Sequence, residues 1–74
     1  MRYKERLRSL REEHDLTQDR VAKVIGVSQR TYSDYESGRL RVPVDRLVDL
    51  AEFYDCSVDY ISGASDIRRP YPGR

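Results

Sequence analysis

From Ser28 to Ser37 the chain reads SQRTYSDYES. At the 100° per residue of an α-helix this stretch divides into two sides. Tyr32 and Tyr35 fall together, with Thr31 at their edge, and Gln29, Arg30, Ser33, Asp34 and Ser37 fall on the opposite arc. A glutamine can bond adenine bidentately, an arginine can do the same to guanine, and an aspartate can accept from the amino group of cytosine. The arc is therefore a compact set for reading base edges, with Ser28 at its head. Residues near the start of such a helix reach deepest into a major groove, so Gln29 and Arg30 lead. The plainer alternative is that any solvent-facing helix side is polar, and the pattern alone does not separate the two.

Something must hold that helix still. Thr17 can cap a preceding helix, because its hydroxyl accepts from first-turn N–H groups that lack intrahelical partners. Val21, Ala22, Val24 and Ile25 supply an apolar stripe at helical spacing. Gly26 stops that helix where the turn calls for positive φ, and Ser28 caps the next. Arg20 and Thr31 stand where a glutamate would complete each capping box, so neither box is present. A small residue at Ala22 lets the two helices cross closely, and Val27, Tyr32 and Tyr35 pin the second. This spacing predicts a helix-turn-helix.

The flanks read as further helices. Tyr3, Leu7 and Leu10 mark a first helix over about Tyr3 to Glu13, with Arg6, Arg8, Glu5 and Glu12 read as its solvated side. His14 and Asp15 form a connection, and Leu16 drops into the core. Arg39 and Arg41 follow Gly38 in a loop, where long cations can clamp a phosphate backbone. Pro43 suits the first position of a fourth helix, with Val44, Leu47, Val48, Leu50, Ala51 and Tyr54 inward and Asp45, Arg46, Asp49 and Glu52 outward. Phe53 lies off that face. Cys56 reads as a small buried filler before a fifth helix capped by Ser57 and closed at Gly63, with Val58 and Ile61 inward and Tyr60 partly exposed. The stretch from Ala64, ASDIRRPYPGR, lacks periodicity and carries two prolines, so residues 64–74 are expected to be a flexible tail or linker after a domain of residues 1–63.

Composition excludes several classes. Seventy-four residues make one small domain. One cysteine and one histidine cannot build a disulfide framework or a zinc site within the chain, so a reduced, cytoplasmic setting is expected. No apolar run approaches the roughly 20 residues needed to span a bilayer, and no signal-peptide pattern is visible. No nucleophile pairs with His14 by any spacing logic, so no enzyme is expected. The net charge is only +1, yet the basic excess sits within residues 1–41, which hold the base-reading candidates.

The run RLRSLREEHDLTQDRVAKVIGVSQRTYSDYESGR with PVDRLVDLAEFYDCSVDYISG resembles the Cro/CI (XRE-type) helix-turn-helix family. The likeness rests jointly on LTQ at Leu16–Gln18, GVSQ at Gly26–Gln29, the E-x-G of Glu36–Gly38, and the closing LAEFYDCSVDYISG. It implies an all-α, five-helix, lambda-repressor-like domain with its helix-turn-helix at helices 2 and 3. It also implies a transcriptional regulator, most simply a repressor, that binds a near-palindromic operator in double-stranded DNA as a homodimer. No cofactor, membrane or small-molecule ligand is indicated. In the resembling family the counterpart of Arg11 pairs with that of Glu36, and the counterpart of Gln18 binds phosphate and braces the recognition helix. Asp34 departs from the family's usual neutral or basic residue. Held by Arg30 at i−4, it is expected to favour specificity over general affinity. An antitoxin-like protein-interaction module is the competing class, kept open by the near-neutral charge and the aromatic fourth and fifth helices.

Overall fold

The computed structural model describes residues 2–68. Five helices follow in order: α1 Tyr3–Glu13, α2 Gln18–Val24, α3 Gln29–Ser37, α4 Val44–Tyr54 and α5 Val58–Ser62. No strand occurs among the described residues. No helix among them is long and apolar enough to cross a membrane.

Short polar side chains set three of the helix starts. Thr17 Oγ1 accepts from Arg20 N–H at 3.1 Å, Ser28 Oγ from Thr31 N–H at 3.0 Å, and Ser57 Oγ from Tyr60 N–H at 3.0 Å. Each satisfies one donor that the first turn leaves open. The turn between α2 and α3 is closed by Gly26 at φ 73°, after which Val27 N–H reaches back to the Ala22 carbonyl at 3.0 Å. Gly38 ends α3 at φ 85°, and the N–H groups of Arg39 and Leu40 both donate to the Asp34 carbonyl. A left-handed residue at this point lets the chain turn back and satisfy a last-turn carbonyl.

One core joins the helices. Leu7 and Leu10 of α1, Val21, Ala22 and Ile25 around α2, Tyr32 and Tyr35 of α3, Leu50, Ala51 and Tyr54 of α4, Cys56, and Ile61 of α5 are all buried in it. Tyr32 and Tyr35 meet edge to face with ring centroids 6.4 Å apart, a favoured aromatic arrangement. Burial pushes the Cys56 thiol pKa up, which suits a filler rather than a nucleophile.

Several expectations need correcting. Arg6 is only 4% exposed, because its guanidinium stacks 3.7 Å from the Tyr60 ring centroid and meets Asp66 at 3.0 Å. Arg46 turns inward, donating to the Ile25 carbonyl at 3.0 Å while pairing with Asp49. Pro43 is the N-cap of α4, not its first helical residue, since its ψ of 151° is extended. Val44 is 71% exposed, because the first turn of α4 stands clear of the core, and Val24 lies exposed at the edge of the Val21–Ile25 stripe. Of the stretch from Ala64, residues 64–68 are fastened to the body. Arg68 meets Glu13 through two bonds of 2.6 and 2.9 Å, and its carbonyl accepts from Ser57 N–H. Arg69 and the rest of that stretch lie outside the described residues.

Candidate nucleic-acid interface

The base-reading candidates occupy α3, and the core dictates which way they face. Tyr32 and Tyr35 are drawn inward, so Gln29, Arg30 and Ser37 stand exposed while Ser33 is half-buried. Arg30 has its side chain 79% exposed. Asp34 is different: its side chain is only 19% exposed, and Arg30 Nε stands 3.6 Å away along the same helix face. Its carboxylate thus sits low on the flank rather than at the crest. Ser28 Oγ is already engaged with Thr31, accepting from its N–H and donating to its hydroxyl at 2.9 Å. Ser37 Oγ donates to the Asp34 carbonyl at 3.2 Å.

Behind this arc lies a polar network that fixes α3 against α1 and α2. Arg11 Nε donates to Glu36 Oε2 at 2.7 Å, and a terminal guanidinium nitrogen of Arg11 donates to Glu36 Oε1 at 3.2 Å. The other terminal nitrogen of Arg11 donates to the Leu16 carbonyl at 2.9 Å. Gln18 Nε2 adds a bond to Glu36 Oε1 at 3.2 Å. Glu36 therefore receives groups from both other helices, with its side chain only 5% exposed. Burial works against its charged form, but the donors around it, led by Arg11, outweigh burial and hold its pKa below the usual carboxylate range. Burial first, and then the Glu36 carboxylate, push the Tyr32 phenol pKa well up. That hydroxyl is close enough to Glu36 to be perturbed by it, yet makes no hydrogen bond of its own.

Arg39 and Arg41 are both exposed in the connection from α3 to α4. Gln29, Arg30, Ser33, Asp34 and Ser37 lie on one helix, with Ser28 at its head, while Gln18, the first residue of α2, is half-buried and turned to Glu36 behind them. Among the described residues no group of three or more His, Cys, Asp or Glu side chains could hold a metal ion. Sequence reasoning missed Arg46, which ties α4 to the turn carbonyl of Ile25. Only its i, i+3 relation to Asp49 hinted that it was held in place.

Comparison with known proteins supplies the family. The helix-turn-helix family HTH_3 matches residues 7–61. Over 64 residues the chain is 47% identical to YobD of Bacillus subtilis (strain 168), an uncharacterized HTH-type transcriptional regulator, covering 86% of this chain and 57% of that protein. It is 40% identical over 52 residues to the cryptic phage CTXphi transcriptional repressor RstR of Vibrio cholerae, covering 70% of this chain and 47% of RstR. The chain thus spans about half the length of the curated relatives it matches. The crystal structure of the P22 c2 repressor in complex with a synthetic operator superposes with a TM-score of 0.80 at 26% identity, covering 88% of this chain and 98% of that one. Five helices in this order, a glycine turn between the second and third, and relatives of this kind make the chain a member of the helix-turn-helix family of transcriptional regulators, of the Cro/CI (XRE) type.

Proposed function

We propose that the chain is a sequence-specific DNA-binding transcriptional repressor that acts in the cytoplasm as a homodimer. Two copies about a two-fold axis set their α3 helices into successive major grooves about 34 Å apart and read a near-palindrome. Gln29 and Arg30 read base edges, with Ser28, Ser33 and Ser37 as shorter partners. Asp34, low on the flank, selects against sites that offer it no donor. Gln18, Arg39 and Arg41 hold phosphates and set the register without reading sequence. The Arg11–Glu36 pair keeps α3 at its angle. No cofactor or small-molecule ligand is required.

The observation that carries this reading is the exposure of Gln29 and Arg30 on a helix whose other side is locked by Tyr32, Tyr35 and Glu36. The decisive experiment is selection from a random duplex pool, followed by binding of the enriched site across a salt series. Enrichment of a two-fold symmetric site and a steep fall of affinity with salt are expected. An unenriched pool would refute the proposal. The competing reading, a protein-interaction module of antitoxin type, draws on the exposed Val24 and Phe53, which line one concavity between α2 and α4. That reading requires no enriched DNA and a specific protein partner.

A further inference from the structure

Away from α3's outer arc, a concave part of the surface gathers cations. A concavity of about 420 Å³ opens between the start of α1 and the end of α3, lined by Arg2, Tyr3, Lys4, Gly38, Arg41 and Ser62. Three of these six residues are cations and none is an acid. None of the three cations makes an ion pair within the described residues, although seven other basic side chains there do. Three cations lining one concavity with no acid in its walls repel one another, and an anion seated among them relieves that repulsion.

The position of Lys4 is set by the fold. A Cβ added to Gly38 would stand 3.2 Å from Lys4 Cδ and 3.4 Å from its Nζ. The lysine stem therefore lies across the glycine that ends α3, and its ammonium sits at the negative end of that helix. The same glycine starts the connection that carries Arg39 and Arg41. The cationic concavity is thus continuous with the far end of the candidate reading helix, while lying on a different element of the chain.

We infer that Arg2, Lys4 and Arg41 form a phosphate seat, in which the start of α1 joins the α3–α4 connection to hold a backbone phosphate of the bound duplex. The inference rests on the DNA-binding reading and extends it to residues outside the helix-turn-helix. The chemistry it recognises is a phosphate monoanion. Its source is the sugar–phosphate backbone rather than a free phosphorylated molecule, because the seat adjoins the end of α3.

The test uses the 74-residue chain on its own enriched duplex, comparing R2Q/K4Q, Lys4→Arg and Gln29→Ala. R2Q/K4Q is expected to weaken enriched and scrambled duplexes by the same factor, and to flatten log K against log salt by about one unit per cation removed. Lys4→Arg keeps the charge and the slope, whereas Gln29→Ala alters the preference between sequences and leaves the slope in place. A merely structural role for Arg2 and Lys4 would lower the melting temperature without moving the slope. R2Q/K4Q with the parent melting temperature and the parent slope overturns the inference. So does an NMR titration in which inorganic phosphate, at constant ionic strength, shifts the Arg2 and Lys4 amides while duplex does not. If the unmodified chain binds no duplex at all, the DNA-binding reading falls first, which is a distinct outcome from a changed variant on an active parent.

Discussion

Replacing Arg11 with alanine tests the network behind α3 most directly. The substitution strips three donors at once: two to Glu36, at 2.7 and 3.2 Å, and one to the Leu16 carbonyl at 2.9 Å. Glu36 is left 5% exposed in the parent geometry, with only Gln18 donating to it. Breaking a buried pair from one side costs about 3–5 kcal/mol, because the remaining charge stays desolvated. Here Arg11 is itself 15% exposed, so water reaches the gap, and a discount to about 2–4 kcal/mol is appropriate. For a domain of this size each kcal/mol moves the melting temperature by about 4–8 °C. Thermal unfolding followed by circular dichroism should therefore show a loss of about 8–30 °C.

The pH dependence gives a sharper readout than the size of the loss. In the parent, Glu36 titrates below the ordinary carboxylate range. A depressed folded pKa contributes stability that is present above the unfolded value, about 4.3, and is lost as pH falls through the folded one. Removing Arg11 takes away the strongest donor and leaves burial in charge, so the folded pKa should rise above the unfolded value. The sign then reverses: Arg11→Ala should lose stability on going from about pH 5 to about pH 7, where the parent loses none from this group. The double variant R11M/E36Q should recover much of the loss, since replacing both partners leaves no bare charge. A melting temperature unchanged by Arg11→Ala, or a variant whose stability rises with pH as the parent's does, would refute this account of the network.

The remaining predictions concern single positions. Gly38→Ala should destabilise by about 1–2 kcal/mol in urea unfolding, because it meets both a positive φ and Lys4 Cδ at 3.2 Å. Gly26→Ala, whose added Cβ meets nothing within 4 Å, should show the backbone part alone and cost less. Ser28→Ala removes the cap on Thr31 N–H and should cost about 1 kcal/mol by thermal melting. On the enriched duplex, Arg30→Ala should cost about 1–3 kcal/mol at one base pair and relax the preference there. Arg39→Gln should weaken all duplexes alike and flatten the salt slope by about one unit.

What could be read from the residues alone was local. Thr17, Ser28 and Ser57 announce their helices because a short oxygen ahead of an apolar stripe has one favourable use. Gly26 marks a turn because positive φ discourages other residues there. What escaped was set by partners distant in the chain. Arg6 reads as solvated on α1, and only the arrival of Tyr60 from α5 and of Asp66 makes its burial tolerable. Arg46 reads as outward until the Ile25 carbonyl appears beside it. Val44 and Val24 show the converse limit, since periodicity gives the face of a helix but not how far its neighbours extend. Within the candidate site, angle around α3 was legible and height was not. The low seat of Asp34 beside Arg30 depends on side-chain packing that no spacing encodes.

The two sides of α3 answer to different demands, and this separation lets a domain so small leave one helix face open for the proposed reading of DNA. Its inner side spends two tyrosines on the core and a glutamate on a network reaching Arg11 and Gln18. Orientation is thus set by contacts that touch none of Gln29, Arg30 or Ser33. Substitutions on the outer arc should then change what is recognised at little cost in stability, since exposed positions away from caps usually move it by no more than about 0.5 kcal/mol. Substitutions on the inner side should do the reverse, lowering affinity for every sequence in proportion to lost fold. Ser28 alone straddles the division, because its hydroxyl caps α3 while standing at the head of the arc. If Gln29→Ala and Arg30→Ala lower the melting temperature as much as Arg11→Ala does, the two sides are not independent and the division fails.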